Sequence, residues 1–269
     1  MQALSFEIGG NTAIFKKPDV NSYAYFTYNN IHKPALLGIL GAIIGLKGYT
    51  QLHDEKKALE VKIKESKGSE KKSLEEQRND LDESYPEFYE KLKSLKISIR
   101  PLGENGYFSK KIQVFNNSVG YASKEAGGNL IVREQWLEKP KWQIIIQDDG
   151  SAEYEKIKEY LLGSKAVFIP YLGKNDHPAN IDNVKELELS EELYLEEGLY
   201  IDSLFIKNGE IDGYEKEDET PFVFQEVSPV SLQKDFHFYE YETLCFTNCE
   251  LDNEPKNTFS YGDKNYTFI

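Results

Sequence analysis

Apolar and polar residues alternate over residues 4–8 and again over residues 12–15, which predicts a β-strand with a break at Gly9-Gly10. The pattern then changes to a longer apolar stretch at residues 31–49, IHKPALLGILGAIIGLKGY. No charged residue lies between positions 35 and 46, so this stretch predicts a buried helix. Pro34 fits its first turn, where a missing N–H is tolerated.

Four glycines, Gly38, Gly41, Gly45 and Gly48, recur along one stripe of this predicted helix. A glycine inside a helix costs about 1 kcal/mol relative to alanine, so another interaction must offset that cost. One interpretation is tight packing of the helix against a sheet. The other is that the helix N-terminus approaches a phosphate group.

Periodicity divides the rest of the first half into further elements. Residues 51–95 are rich in Lys and Glu and predict a solvated helical insertion. A strand is predicted at 95–102, and a finger or protruding hairpin at 103–130, with one short strand at 112–115. A buried strand at 141–147, a helix at 153–162 capped by Ser151, and a strand at 165–170 follow.

After residue 170 the chain consists of short alternating runs with acidic turns. They are predicted as strands at 184–189, 199–206, 221–227, 235–241, 242–249 and 257–268, with turns at 208–209 and 262–263. The sequence therefore predicts an α+β protein. Residues 1–169 form a ferredoxin-like βαββαβ domain of RNA-recognition-motif topology, and residues 170–269 form a β-rich C-terminal part.

Charge is distributed unevenly along the chain. The net charge is −14 overall, but it is +2 over residues 1–50, −4 over 51–90, +4 over 91–150 and −16 over 151–269. A polyanion site is therefore expected on the first half. The apolar stretch is too short to span a membrane, which needs about 20 residues, and it does not resemble a signal peptide, so no membrane partner is expected.

Few side chains are candidates for catalysis or metal binding. Cys245 and Cys249 are predicted to be free thiols, which suits a cytoplasmic protein, and neither a metal site nor a cofactor is predicted. Among four histidines, only His32, beside Lys33 and Tyr28, has neighbours suited to acid–base chemistry. The aromatic loop at residues 23–28, which follows two lysines, can stack bases or belong to the core.

Several motifs together resemble a known family. They are A-x-F-K-K-P at residues 13–18, T-Y at 27–28, P-x-L-L-G-I-L-G-A-I-I-G at 34–45, R-E-Q-W-L-x-x-P at 133–140 and Y-L-G-x-N-x-x-P-A at 171–179. This set is similar to the CRISPR-associated RAMP proteins of the fifth Cas family, and looks most like its type I-B branch. The family often has small hydroxyl residues and a Pro-Pro pair before the helix, where this chain has NNIHKP.

The resemblance implies a subunit of Cascade, the crRNA-guided surveillance complex of antiviral defence. Such subunits hold the 5′ handle of the crRNA, cap the filament of Cascade backbone subunits, and contact the Cascade large subunit near the PAM of target DNA. The finger would correspond to the family's thumb. We therefore expect a non-catalytic crRNA-binding subunit. Its expected RNA-binding residues are Lys16, Lys17, Tyr25, Phe26, Tyr28, Asn30, His32, Lys33, Arg100, Lys110, Lys111, Lys124 and Arg133.

Within that set, the amides of the helix after Lys33 and the lysines are expected to take phosphates, and Tyr25, Phe26 and Tyr28 to stack on bases. Two alternatives stay open. The protein could be a metal-independent endoribonuclease that processes precursor crRNA through His32 or another histidine. It could also be a structural protein-interaction module whose acidic C-terminal part binds a basic partner.

Overall fold

The computed structural model describes residues 1–18, 23–82, 84–117, 130–195, 198–207 and 220–269. The helices are α1 (Lys33–Ile44), α2 (Tyr49–Glu65), α3 (Gly68–Asp82), α4 (Glu87–Leu92) and α5 (Ala152–Leu162). The strands are β1 (Gln2–Gly9), β2 (Thr12–Ala13), β3 (Ile97–Pro101), β4 (Lys110–Asn117), β5 (Leu130–Glu138), β6 (Lys141–Gln147), β7 (Asn180–Glu188), β8 (Phe205–Ile206), β9 (Val223–Leu232), β10 (Tyr239–Thr247), β11 (Thr258–Tyr261) and β12 (Lys264–Thr267). The protein is α+β, and its sheets are built from antiparallel pairs.

The main sheet has four strands in the order β3-β6-β1-β7. In β1, alternate residues Leu4, Phe6 and Ile8 are fully buried and share one core with Leu36 and Leu40 of α1. The apolar face of the strand, which repeats every two residues, therefore packs against the apolar face of the helix, which repeats every three to four residues, as the sequence predicts.

The strand predicted at residues 165–170 is wrong. Those residues lie against the end of α1, where the amides of Val167 and Phe168 donate to the carbonyl oxygens of Ile43 and Ala42. These bonds satisfy carbonyls that the last turn of a helix leaves unpaired. The edge of the sheet beside β1 is occupied instead by β7, which follows later in the chain.

Helix α1 is shorter than the predicted helix and packs differently. It ends at Gly45, which has φ 80° and donates to the carbonyl oxygens of Ala42 and Gly41. A Cβ atom at Gly41 would lie 2.5 Å from the Cβ of Phe88, so the glycine allows α4 to approach α1. The close approach that the glycine stripe predicts is therefore found at Gly41, but the partner is a helix and not the sheet. Gly45 ends the helix and Gly48 lies beyond it.

Helices α2 and α3 form the predicted charged insertion. Neither contains a buried residue, and ion pairs such as Lys56–Asp82 at 3.1 Å connect them. Within the described residues no single helix is long and apolar enough to cross a membrane. Among these residues, α1 and α2 reach the length and apolar composition of a membrane span only when taken together, and this pair is bent by 74°.

The finger is a β-hairpin in the described residues, with β4 paired to β5 from Lys110↔Leu137 to Asn117↔Leu130. Strand β5 was not predicted. The segment before the hairpin belongs to the core, because Phe108 is 5% exposed and packs against Trp142. The predicted finger therefore projects only after Phe108. The segment between its strands, like the turn predicted at 208–209, lies outside the described residues.

The C-terminal part forms a sheet in the order β8-β10-β9 and a β11–β12 hairpin. The hairpin turns at Gly262 (φ 63°), as predicted. Its residues Tyr266 and Phe268 pack on Ala3 and Ile145, on the opposite side of the main sheet from α1. The run at 199–206 contributes only the short strand β8. The second face of the main sheet is therefore partly covered by the chain itself.

Candidate nucleic-acid interface

Three of the sequence motifs meet at the base of the finger. The amide of Ile14 donates to the carbonyl oxygen of Leu172, and Thr12 Oγ1 lies 2.6 Å from His177 Nδ1. A Cβ atom at Gly173 would lie 1.7 Å from the carbonyl oxygen of Ile14, and its φ is +88°. Glycine is required at this position by both the contact and the dihedral angle.

The same loop, residues 171–179, also supports one face of β5. Lys174 Nζ lies 3.0 Å from the Oε1 atom of Glu134, which is 6% exposed, and Trp136 Nε1 donates to Glu134 Oε2. The rings of Trp136 and His177 meet edge to face at 4.6 Å. Burial lowers the pKa of His177, which favours the neutral form of its ring. These contacts give the motif residues a structural role in holding the finger.

Four cation–aromatic pairs line the surface where the finger joins the first loop. We call this set the cation–aromatic belt. Its pairs, with the distance from the cationic group to the ring centroid, are Lys16–Tyr25 at 3.6 Å, Lys17–Tyr28 at 4.9 Å, Arg133–Tyr23 at 4.9 Å and Lys110–Tyr107 at 5.0 Å. A cation beside an aromatic face can bind a phosphate while the ring stacks on a base.

Backbone hydrogen bonds hold the belt together. Tyr25 donates its amide to the carbonyl oxygen of Arg133, and the amide of Gln135 donates back to the carbonyl oxygen of Tyr25. The amide of Lys17 donates to the carbonyl oxygen of Phe26. The first loop therefore lies along β5 as an additional strand-like segment.

The cations of the belt differ in their partners. Among the described residues, Lys16 and Arg133 form no ion pair, whereas Lys17 lies 3.4 Å from Glu226. Burial lowers the pKa of Lys110, and the nearby Lys17 ammonium lowers it further. On the neighbouring strand position, Lys111 pairs with Glu138 at 3.4 Å. Lys16 and Arg133 are consequently the cations most available to a bound anion.

Four predicted RNA-binding residues lie in the core instead. Tyr28 and Asn30 are each 2% exposed, His32 is 3% exposed and Lys33 is 9% exposed. Asn30 Oδ1 accepts a hydrogen bond from Trp142 Nε1, and Lys33 Nζ donates to the carbonyl oxygen of Ile269. Their polar groups are used to hold the fold, so in this conformation they are not open to a ligand.

The N-terminus of α1 is likewise closed. His32 Nδ1 accepts the amide of Ala35, and its carbonyl oxygen accepts the amide of Leu36. The His32 ring lies among Phe15, Tyr28 and Tyr239. Burial lowers the pKa of His32 to about 3, which keeps the ring neutral and able to accept the cap hydrogen bond. The expected phosphate contact with the amides after Lys33 therefore has no accessible surface here.

The remaining predicted residues are scattered. Phe26 is half-buried beside Lys17, and Lys124 lies outside the described residues. Arg100 lies apart from the belt, in a cleft, where it is 3.6 Å from Asp202.

Two residues at the interface were not predicted from the sequence. Lys174 occupies a variable position of the Y-L-G-x-N-x-x-P-A motif. Glu226 lies on a strand of the acidic C-terminal part, and no pattern in the neighbouring sequence indicates that it contacts the first loop.

Comparisons with solved structures give distant similarities at low identity. No family model matches the sequence. No curated protein matches it either. A chain of a solved structure described as a CRISPR RNA-guided surveillance complex has TM-score 0.47 and 13% identity, with 94% of each chain covered. A CRISPR protein from Archaeoglobus fulgidus has TM-score 0.43 and 9% identity, covering 99% of this chain and 98% of that one. A Cas protein has TM-score 0.36 and 12% identity, covering 93% and 94%. All three TM-scores lie below 0.5, so these structures are similar to this chain without assigning it a function.

Proposed function

We propose that this protein is a non-catalytic crRNA-binding subunit of a type I CRISPR Cascade complex, of the fifth Cas family and its I-B-like branch. It holds the 5′ handle of the guide RNA in the cytoplasm. The observation that carries the proposal is the cation–aromatic belt. Three of its four rings, those of Tyr23, Tyr25 and Tyr107, are exposed or half-buried beside a cation. This suits a single RNA strand that offers bases and phosphates in turn.

The sequence motifs support the same proposal. Three of the five segments that resemble the family, at residues 13–18, 133–140 and 171–179, build and support the belt. Gly173, Glu134 and Trp136 hold the finger in place through these motifs. The resemblance and the geometry therefore point to one surface and not to two.

We further propose that the main sheet with α1 and α5 is the family's ferredoxin-like domain. Its chain order of strand, helix, strand, strand, helix, strand, with sheet order β3-β6-β1-β7, is compatible with that fold. The finger would then be the thumb. It would contact the neighbouring Cascade backbone subunit, while the large subunit and the PAM-proximal target DNA would lie beyond the handle.

The surroundings of His32 favour a binding role over RNA cleavage. A general base needs a free nitrogen within hydrogen-bond reach of the proton that it removes. Nδ1 of His32 already accepts the amide of Ala35, and the ring is buried. We therefore expect no specific cleavage of labelled repeat RNA in EDTA. Specific cleavage that is lost in His32→Ala would replace this proposal with the endoribonuclease alternative.

The direct test measures RNA binding by fluorescence anisotropy across a salt series. The double variant Lys16→Ala, Arg133→Ala should weaken binding to handle RNA and reduce the slope of log affinity against log salt by about 1.4, or 0.7 for each lost phosphate contact. The matched control is Lys57→Ala, Lys62→Ala, which removes two exposed lysines of α2. It should leave the slope almost unchanged.

Two results would contradict the proposal. Equal losses in the belt variant and in the α2 control would mean that only net charge matters. No RNA binding by the unmodified protein, alone or with backbone subunits, would favour the protein-interaction alternative. Sequencing the RNA that co-purifies with the protein from its source cell would identify the handle itself.

A further inference from the structure

A mostly buried carboxylate contacts two backbone amides and a lysine beside the belt. Both oxygens of Glu226, on β9, lie 3.0 Å from the amide nitrogen of Asn29, and one lies 3.4 Å from the amide nitrogen of Asn30. The ammonium of Lys17 lies 3.4 Å from the Glu226 carboxylate, whose side chain is 10% exposed. We call the two amides with Lys17 and Lys110 the amide–lysine cradle.

The cradle is held rigidly from the inside. Asn29 Nδ2 donates to the carbonyl oxygen of Gly106 at 2.9 Å, and Asn29 Oδ1 accepts the amide of Phe108. Asn30 Oδ1 accepts the indole N–H of Trp142. Because both side chains are anchored in the core, the two backbone amides are fixed in the direction of Glu226. This geometry does not depend on Glu226 itself.

The cradle carries more positive charge than Glu226 neutralises. Lys110 lies close enough for the Glu226 carboxylate to raise its pKa and for the Lys17 ammonium to lower it, and burial makes the net shift downward. Lys17 and two amides thus contact the carboxylate, and Lys110 interacts with it electrostatically from nearby. The site retains affinity for an anion that brings further contacts, because partly buried charges interact more strongly than exposed ones.

We propose that the amide–lysine cradle is a binding site for one phosphodiester of the RNA backbone, and that Glu226 occupies it until RNA displaces the carboxylate. This inference rests on the proposed RNA-binding function. A carboxylate and a phosphodiester each carry one negative charge shared by two oxygens, so either can accept from the same amides and lysines. Lys17 belongs to both the cradle and the belt, which makes the two surfaces continuous.

The proposed exchange makes Glu226 a competitor of RNA and a determinant of affinity. Strand β9 lies in the C-terminal sheet, far along the chain from residues 17–30. RNA that enters the cradle would release the contact between this sheet and the first loop. The C-terminal part would therefore respond to RNA although most of its charge is acidic and unsuited to binding RNA itself.

The test compares Glu226→Gln with Glu242→Gln, which removes the same charge from an exposed position on the adjacent strand β10. Glutamine keeps one oxygen that can accept the Asn29 amide, so the fold should be retained, as a melting curve would check. Glu226→Gln should bind single-stranded handle RNA about tenfold more tightly than Glu242→Gln.

A second measurement uses the unmodified protein, in case Glu226→Gln does not fold. The backbone amide resonances of Asn29 and Asn30 are followed by NMR during titration with RNA and, separately, with inorganic phosphate. Displacement of Glu226 should shift both resonances with RNA, and phosphate should compete for them only at much higher concentration.

The outcomes separate the two proposals. If the two glutamine variants bind equally, or if RNA shifts the amide of Gln135 in the belt but not those of Asn29 and Asn30, the cradle is a structural contact and this inference is overturned. The belt would then remain the RNA site. If no variant binds RNA at all, the proposed function fails and this inference fails with it.

Discussion

The two halves of the segment at residues 23–33 both contain aromatic residues, but their surroundings are opposite. In the first half, Tyr23 is 71% exposed and Tyr25 lies half-buried under Lys16 on the finger. In the second half, Tyr28, Asn30 and His32 are buried in the core of the main sheet. An aromatic residue beside a lysine is therefore a ligand-binding candidate in one half and a packing residue in the other.

The difference arises from what each half is attached to. Residues 23–26 lie along β5, a strand of a three-stranded sheet in which most side chains are exposed or half-buried. Residues 28–33 enter α1, so their side chains must fill the space between that helix, Phe15 and Trp142. Packing, and not residue type, decides which aromatic rings remain available to stack on bases.

The largest effect is expected from truncating the buried tyrosine. Tyr28→Ala removes a large side chain from a packed core and should lower the free energy of unfolding by about 3–5 kcal/mol. Tyr25→Ala should lower it by less than about 1 kcal/mol, while weakening RNA binding by about 1–3 kcal/mol through lost stacking. Chemical denaturation and anisotropy measure the two quantities. Equal destabilisation by both variants would remove the distinction between the two halves.

An intermediate effect is expected from pH. Burial lowers the pKa of His32 to about 3, whereas the unfolded chain titrates near 6.5. Below pH 6.5 the unfolded state binds a proton that the folded state does not, so stability falls as pH falls. From pH 7 to pH 5.5 this contribution should be about 1 kcal/mol.

The control for this prediction is His32→Asn, which can still cap α1 but does not titrate. The pKa values of His177 and His237 are also lowered, mainly by burial. Both residues are present in both proteins, so their contributions to the pH dependence of stability cancel in the comparison. Urea unfolding at the two pH values should therefore give a smaller pH dependence for the variant. An unchanged dependence would mean that His32 is protonated or accessible in the folded protein.

The smallest effect is expected in the acidic C-terminal part. Glu191, Asp252 and Glu254 are exposed there, and changing all three to lysine should leave RNA affinity almost unchanged at 0.15 M salt, because charges beyond about 8 Å are screened. Anisotropy at that salt concentration measures the effect. A gain comparable to the loss in the belt variant would show that RNA also passes over this part of the protein.

The sequence by itself determined the elements whose signals are local. The alternation at residues 4–8, the apolar stretch of α1, the Ser151 cap and the turn at Gly262 all depend on neighbouring residues, and each has its expected structure. The charged insertion was equally predictable, since α2 and α3 bury none of their residues. The lysines and tyrosines of the first loop were identified as candidates, but not which of them would be exposed.

Only the tertiary structure decided where distant segments meet. Residues 165–170 are apolar enough for a strand, yet they pair with the end of α1, and β7 takes the edge of the sheet. Glu226 reaches the amides of Asn29 and Asn30 across nearly 200 positions of the chain, where no periodicity could predict the contact. Local patterns determine helix, strand and turn because those depend on backbone sterics and short-range hydrogen bonds. Burial and ligand access depend on which surfaces come together when the chain folds.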